Sequence, residues 1–232
     1  MTTSPLTRPS QGRVNIIFIG PPGSGKGTQA ARIAERYRIP HISTGDILRA
    51  AVKVGSELGR KVGATLASGG LVGDELMTDL VRARLAQADT AGGFLLDGFP
   101  RTIPQAQALD AVLAGGPLIV ALISVPDEAI VRRLGRRRIC ESCTITQSVS
   151  DASDAQNDSC PYCGGRLVRR QDDEPDVVRR RLATYAAFAE PLIAYYRSRP
   201  SFAEIEGLQS PNAVTAALVA HIDSQRTVAS RA

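Results

Sequence analysis

The sequence has no tryptophan and only five phenylalanines and five tyrosines among its 232 residues. Its apolar stretches are short, and none approaches the roughly 18 uninterrupted apolar residues that a membrane-spanning helix needs. Residues 1–12, MTTSPLTRPSQG, contain no apolar stretch, so we expect a disordered extension there rather than a secretory signal. From these absences we expect a cytoplasmic protein without a membrane partner.

Positive charge is in excess, at +5 for neutral pH, which favours anionic partners such as nucleotides or nucleic acid. Arginines concentrate in two segments, 132–138 and 166–181, and these flank the only four cysteines. A nucleic-acid-binding zinc module would place aromatic side chains among such arginines for base stacking. Residues 132–181 contain a single aromatic residue, Tyr162. We therefore expect no nucleic-acid partner.

Residues 13–28, RVNIIFIGPPGSGKGT, organise the sequence. The β-branched run Val14 to Ile19 predicts a strand that is buried on both faces. Gly20 to Lys26 has the phosphate-binding spacing G-x-x-x-x-G-K, in which glycines turn backbone N–H groups inward and the lysine adds a mobile cation. Gly27 stands where this pattern usually has Ser or Thr, and the hydroxyl comes one residue later, at Thr28. A glycine-rich turn with an incidental lysine is the alternative, but the strand before it and the helical pattern after it favour a phosphate site.

Three further segments predict strands, and helical patterns lie between them. Residues 93–97 and 118–125 are short apolar runs, and residues 202–205 form a last strand. Strands that alternate with helices predict an α/β fold, with a doubly wound parallel sheet covered by helices on both faces. We expect residues 39–42 to be an extended link. Asp74 is expected to be the N-cap of a longer helix.

The four cysteines have the spacing C-x2-C-x16-C-x2-C, at Cys140, Cys143, Cys160 and Cys163. This spacing is close to that of tetrahedral zinc sites, and zinc is favoured over iron. Disulfides are the alternative, which the reducing cytosol disfavours. Four protein ligands leave no open position for catalysis. The metal would therefore be structural, in a segment with too few apolar residues for a core of its own.

Five motifs occur in the order found in adenylate kinases: GPPGSGKGTQA, ISTGDILRAAV, FLLDGFPRT, QDD followed by VVRRRL, and PLIAYY. Over about residues 13–225 the sequence therefore resembles this family of nucleoside monophosphate kinases, in the long-lid form with four lid cysteines. The family transfers a phosphoryl group reversibly between ATP and AMP, with magnesium, and ADP is the product. The resemblance implies a monomer with a P-loop core, an AMP-binding helical insertion and a lid that holds structural zinc. The corresponding ranges are 13–42, 74–138 and 171–232 for the core, 43–73 for the insertion and 139–170 for the lid.

The resemblance also implies which residues bind the substrates. The ATP-binding residues would be Gly23, Ser24, Gly25, Lys26, Gly27, Thr28, Arg133 and Arg137. The AMP-binding residues would be Thr44, Arg49, Leu71, Val72, Gly98, Arg101, Gln105, Arg170 and Arg181. The catalytic cations would be Lys26, Arg101, Arg137, Arg170 and Arg181. Magnesium would be held through water by Asp97.

Several roles have a structural alternative. For Arg132, Arg136, Arg169 and Arg180 we expect solvated surface positions or ion pairs with a nearby acidic residue, namely Asp172, Asp173, Glu174 or Asp176. Asp172 and Asp173 either orient neighbouring arginines or form structural ion pairs, and we favour the structural role. Thr44 could be a helix cap as well as a contact to the base.

The expected lid departs from the family pattern at three places. Thr144 and Arg136 stand where the family usually has glycine, and Ile145-Thr146-Gln147 replaces a usual Tyr-His pair. Among other functions, a UMP/CMP kinase would have a short lid, and the TGD motif with Gln105 favours AMP. A catalytically idle scaffold would not need the intact set of arginines.

Overall fold

The computed structural model describes residues 13–149 and 159–229, so the expected extension 1–12 lies outside the described residues. Within these ranges, no helix combines the length and apolar character needed to cross a membrane. The elements are β1 (Val14–Ile19), α1 (Lys26–Tyr37), β2 (His41–Ser43), α2 (Thr44–Lys53), α3 (Glu57–Ser68), α4 (Asp74–Leu85), β3 (Gly93–Asp97), α5 (Ile103–Leu113), β4 (Ile119–Ser124), α6 (Asp127–Gly135), β5 (Arg137–Cys140), β6 (Thr146–Ser148), β7 (Leu167–Val168), α7 (Pro175–Arg197), β8 (Phe202–Glu206) and α8 (Pro211–Ala229).

The central sheet has five parallel strands in the order β2-β3-β1-β4-β8. The three predicted apolar strands and the last strand are confirmed. The expected link at residues 39–42 was wrong in part, because His41–Ser43 pairs in parallel with β3 as an edge strand. Only Ile42 in this strand is buried, so an apolar run was absent from the sequence. The parallel register brings the carboxyl ends of β1, β3 and β4 to one edge of the sheet.

Two apolar clusters cover the two faces of this sheet. Along β1, Ile17 and Ile19 belong to one cluster, together with side chains from α4, α5 and α7. Ile16 and Phe18 belong to the other, together with side chains from α1 and α8. Each fully buried side chain of this size contributes roughly 1.5–3 kcal/mol to stability. The doubly wound α/β fold is therefore confirmed, and it explains why the strands are apolar without alternation.

Helices α2 and α3 pack against each other and form the helical segment between β2 and α4. Ser43 caps α2, because its Oγ accepts a hydrogen bond from the Asp46 N–H at 3.3 Å. The predicted N-cap at Asp74 was wrong. Gly73 is the N-cap of α4, and Asp74 is the first helical residue. Its carboxylate has side-chain partners elsewhere.

Strands β5, β6 and β7 form a second, antiparallel sheet in the order β6-β5-β7. We call the described residues 137–149 and 159–168 the cysteine sheet. Its buried interior consists of Cys140, Cys160 and Leu167, with Cys143 packed against them. The sequence showed only that residues 140–165 lack helical periodicity, and these strands were not predicted. One buried aliphatic side chain cannot provide a core of ordinary size.

Candidate active site

The loop between β1 and α1 requires glycine at two positions. Gly23 and Gly25 have φ angles of 82° and 99°, a left-handed region that residues with a Cβ rarely adopt. Helix α1 begins at Lys26, and the Lys26 side chain folds back over the loop. Its Nζ donates hydrogen bonds to the carbonyl oxygens of Gly20 and Pro21, both at 2.7 Å. The loop thus places a cation and the first N–H groups of a helix at the end of the central strand.

The charge of Lys26 is costly in this position. Burial lowers the pKa of Lys26 to about 8, although the Asp97 carboxylate acts in the opposite direction. The guanidinium groups of Arg101, Arg181 and Arg137 also lower this pKa. Charges influence one another strongly only over short distances, so these three arginines lie in the same region of the protein as the lysine. An anion with several negative charges would relieve their mutual repulsion.

Asp97 ends β3 and lies beside the loop. A Cβ at Gly27 would come within 3.6 Å of Asp97 Oδ2, so the first turn of α1 is its neighbour. Burial raises the pKa of Asp97, but the effects of His41 and Lys26 are stronger together and hold it below the usual value. His41 Nε2 lies 3.7 Å from Asp97 Oδ2. The carboxylate is therefore ionised at neutral pH, which suits magnesium, a cation that prefers oxygen ligands and keeps several waters.

Asp172 binds three of the sequence-predicted arginines, which come from different parts of the chain. Arg170 donates to its two oxygens at 2.9 Å each, a bidentate arrangement. Arg181 of α7 lies 3.0 Å from Asp172 Oδ2, and Arg49 of α2 lies 3.8 Å from the same oxygen. Burial raises the pKa of Asp172, but Arg170 and Arg181 lower it to about 2. Asp172 therefore links the helical segment to the core.

Asp173 is buried and holds a fourth predicted arginine, Arg137, whose Nε donates to Oδ2 at 2.7 Å. Arg181 Nη1 lies 3.5 Å from the same carboxylate. Arg137 begins β5, so Asp173 ties the cysteine sheet to the start of α7. The two adjacent carboxylates thus do orient neighbouring arginines, and the ion pairs are also structural. The two alternatives from the sequence hold together.

Within residues 13–149 and 159–229, the side chains of the other two predicted arginines donate to backbone carbonyl groups. Arg101 is exposed, and its Nε donates to Gly98 O at 2.8 Å. Arg133 donates to Gly207 O at 2.8 Å and to Ser24 O of the phosphate-type loop at 3.4 Å. The four arginines expected on the surface are exposed, as predicted: Arg132, Arg136, Arg169 and Arg180.

Buried polar side chains lie near the place where β3 ends and α4 and α5 begin. Thr44 is buried, and its Oγ1 donates to Asp97 O at 3.4 Å. Because Ser43 is the N-cap of α2, Thr44 is not needed as a cap. Gly98 has φ of 86°, and a Cβ there would lie 2.9 Å from Thr44 Oγ1. Leu71 and Val72 precede α4 and are half-buried.

Gln105 is a second buried polar residue of this region, with only 2% of its surface exposed. Its Oε1 accepts from the Arg101 N–H at 2.8 Å, and its Nε2 donates to Asp74 Oδ1 at 2.8 Å. Thr102 Oγ1 donates to the same Asp74 oxygen at 2.9 Å. Sequence reasoning missed the role of Asp74. Its only local signal was its place at a helix start, and the partner side chain is 31 residues away.

The four cysteines come together as the spacing predicted. The Sγ atoms of Cys140 and Cys163 are 3.4 Å apart, those of Cys143 and Cys160 are 3.6 Å apart, and all four lie within 4.8 Å of one another. A disulfide needs about 2.05 Å, and all four cysteines are free. Four thiolates around tetrahedral zinc, at about 2.3 Å each, would be roughly 3.8 Å apart. A hydrogen bond from the Cys143 backbone N–H also lowers the pKa of Cys140, which favours the thiolate. The group therefore fits a metal ion such as zinc.

Comparison with known proteins agrees with this geometry. A family model described as adenylate kinase matches residues 18–201. An adenylate kinase of Lachnospira eligens is 46% identical over 209 residues, which are 89% of this chain and 98% of that protein. An adenylate kinase of Lysinibacillus sphaericus is 45% identical over 92% of this chain and all of its own length. An adenylate kinase of Archaeoglobus fulgidus is 46% identical over 84% of this chain and 91% of its own. With a matching model over most of its length and several such relatives, the chain belongs to the adenylate kinase family of phosphotransferases.

Proposed function

We propose that the protein catalyses the reversible reaction ATP + AMP = 2 ADP by direct in-line phosphoryl transfer. The observation that supports this most is the convergence of cations near the carboxyl edge of the sheet. Lys26, Arg101, Arg137 and Arg181 influence one another there electrostatically, and Asp172 draws in Arg49 and Arg170. Phosphoryl transfer needs two polyanions in line, neutralised charge and little water.

The donor site would be the phosphate-type loop and the arginines beside it. We assign ATP contacts to Gly23, Ser24, Gly25, Lys26, Gly27, Thr28, Arg133 and Arg137. The hydrogen bond from Arg133 to Ser24 O supports this assignment, because it holds the arginine against the loop. Lys26 would exchange its two carbonyl partners for phosphate oxygens, and the incoming charge would raise its pKa again.

The acceptor site would lie between the helical segment and the core. We assign AMP contacts to Thr44, Arg49, Leu71, Val72, Gly98, Arg101, Gln105, Arg170 and Arg181. Arg101, whose exposed side chain donates to the Gly98 carbonyl, suits the AMP phosphate. Thr44 and Gln105 are buried side chains that can hydrogen-bond a base edge, and a mismatched base would leave them unpaired.

Catalysis would be electrostatic. Lys26, Arg101, Arg137, Arg170 and Arg181 would face the transferring phosphoryl group and stabilise its charge. Asp172 and Asp173 neutralise part of this cluster through ion pairs with four guanidinium groups. Substrate phosphates would then bind to arginines that are already oriented, which reduces the cost of ordering long side chains.

Two metal ions belong to this proposal. Asp97 would hold magnesium through its water ligands, and the ion, when bound, would neutralise charge on the phosphates of ATP. Cys140, Cys143, Cys160 and Cys163 would hold a structural zinc ion. The zinc ion would stabilise residues 139–170 as a lid, while residues 43–73 would form the AMP-binding insertion. Closure of both over the substrates would exclude water.

We further propose that the enzyme is a cytoplasmic monomer. A reducing compartment keeps four thiols available for a metal, and all four described cysteines are free. All the substrate contacts assigned above come from one chain, so the proposed site needs no second copy.

The experiment that tests the proposal is a phosphoryl-transfer assay across AMP, GMP, UMP and CMP, each with ATP and with GTP as donor. We expect AMP with ATP to be used best, because the buried side chains of Thr44 and Gln105 can hydrogen-bond the adenine edge. Faster use of UMP or CMP than of AMP would overturn the acceptor assignment. Absence of transfer to any monophosphate would overturn the reaction.

A further inference from the structure

We propose that Asp74 determines acceptor specificity by fixing the orientation of the Gln105 amide, so that the site accepts adenine and rejects a 6-oxopurine. The inference rests on the proposed contact between Gln105 and the AMP base. Asp74 does not touch the substrate in this account, so it is a positioning residue.

The hydrogen bonds of Gln105 define the orientation. An amide group has two N–H donors and an oxygen with two lone pairs. One N–H goes to Asp74 Oδ1 and one lone pair accepts from the Arg101 backbone N–H, both at 2.8 Å. Each partner can play only one role, because an ionised carboxylate only accepts hydrogen bonds and a backbone N–H only donates them. If the amide were flipped, its oxygen would face the Asp74 carboxylate and its NH₂ group would face the Arg101 N–H. Both contacts would then be repulsive.

Burial makes the orientation matter. Gln105 is only 2% exposed, so water cannot compensate a mismatched contact. Asp74 is itself held, because Thr102 Oγ1 donates to the same oxygen at 2.9 Å. Thr102 is the N-cap of α5 and Asp74 is the first residue of α4. Two helix ends therefore fix the carboxylate, and the carboxylate fixes the amide.

What remains on Gln105 is one N–H donor and one lone pair. Adenine offers the matching pair, an N1 acceptor and an N6–H donor. Hypoxanthine has the same ring shape but the opposite pattern, an N1–H donor and an O6 acceptor. It could pair with Gln105 only after the amide flips, which Asp74 and Arg101 oppose. IMP is therefore the most direct probe of the orientation, since it changes the pattern without changing the size.

The test compares kcat/KM for AMP and for IMP, with ATP as donor, in the full-length enzyme. We expect Asp74→Ala to reduce the AMP/IMP ratio by about tenfold or more, because one of the two contacts that oppose the flip is lost. Asp74→Asn keeps the shape, but its NH₂ can donate to a flipped amide. We therefore expect the ratio to fall in this variant as well. Asp79→Ala removes a carboxylate from the exposed face of the same helix, where it pairs with Arg82 at 2.9 Å, and should leave the ratio unchanged.

Gln105→Ala separates this inference from the proposed function. If Asp74 acts through Gln105, Gln105→Ala lowers the ratio at least as far, and adding Asp74→Ala lowers it no further. If the ratio falls in Gln105→Ala but is unchanged in both Asp74 variants, the proposed role of Asp74 is overturned, whereas the base contact of Gln105 is not. An unchanged ratio in Gln105→Ala would overturn the base contact and this inference together.

A purely structural role for Asp74 has a different signature. It would lower the melting temperature and reduce kcat/KM for AMP and IMP by the same factor, which overturns the proposal. If Asp74→Ala does not fold, the Asp74→Asn enzyme decides. An unchanged AMP/IMP ratio in that folded variant also overturns the proposal.

Discussion

The two sheets of this protein are stabilised in different ways. The five-stranded sheet buries aliphatic side chains on both faces, in two clusters that include residues from seven helices. The cysteine sheet buries one aliphatic side chain, Leu167, among its cysteines. The first sheet therefore provides a rigid support for the loop and Asp97, whereas the second is packed around four thiols that could hold a metal ion. We therefore expect substitutions in one sheet to affect a different property of the enzyme from substitutions in the other sheet.

The largest effect is expected for Lys26→Met, which removes a cation from the cleft without shortening the side chain much. Turnover should fall by about 10²–10³-fold or more, the range for loss of one preorganised electrostatic contact. The melting temperature should not fall, because the buried ammonium group is itself unfavourable, as its lowered pKa shows. Coupled-assay kinetics and thermal melting check both parts. Lys53→Met is the control, since Lys53 is exposed at the end of α2. Equal losses in the two variants would contradict a catalytic role for Lys26.

The contrast between the sheets can be measured with one type of substitution at two places. Leu95→Ala lies in β3, where the side chain is completely buried, and it should cost about 2–5 kcal/mol in the free energy of unfolding. Leu167→Ala in the cysteine sheet should cost at most the lower end of that range, because a small cluster near the surface can relax around the cavity. Urea unfolding of both variants gives the comparison. A larger loss for Leu167→Ala would mean that the cysteine sheet has an apolar core after all.

The pH dependence should reveal the lowered pKa of Lys26, about 8 in the free enzyme. Above this pH the folded protein loses the proton, and kcat/KM for ATP should fall about tenfold per pH unit. The decline in kcat should begin at higher pH, because bound phosphates favour the charged lysine. Stability should change in the opposite direction. Between pH 8 and 10.5 the unfolded chain binds more protons than the folded protein, so the unfavourable contribution of Lys26 diminishes.

Lys26→Arg is the control for this pH profile. Arginine stays charged far above this range, so the variant should be slower but should lack the decline in kcat/KM above pH 8. A flat profile for the unmodified enzyme through pH 10 would show that the pKa of Lys26 is not lowered in solution.

The sequence predicted those parts of the fold whose residues carry the signal themselves. Strand β1 is apolar throughout because both of its faces are covered, and the loop needs glycine at positions such as Gly23 for its backbone conformation. Strand β2 was missed because an edge strand with one buried residue, Ile42, has no apolar run. The strands of the cysteine sheet also lack an apolar run, because cysteines supply their packing, and they were missed for this reason.

The residue types of the site were predictable, but their partners were not. Asp172 contacts arginines from three parts of the chain, and no local pattern encodes a contact between Arg49 and a residue more than 100 positions away. Asp74 illustrates the limit most clearly. Its position suggested a helix cap. In the structure, however, Gly73 is the N-cap of α4, and the Asp74 carboxylate accepts hydrogen bonds from Gln105 and Thr102.

The central claim is that Lys26 and the arginines near it carry out the chemistry, whereas the four cysteines only stabilise the second sheet. Its most direct test is the turnover of Cys163→Ser at a temperature well below melting, beside its melting curve and metal content. We expect zinc to be lost and the melting temperature to fall by roughly 5–10 °C, because several kcal/mol of metal-binding energy disappear. Turnover should stay within about tenfold of the unmodified enzyme. Loss of turnover as complete as in Lys26→Met, with unchanged melting, would contradict the claim.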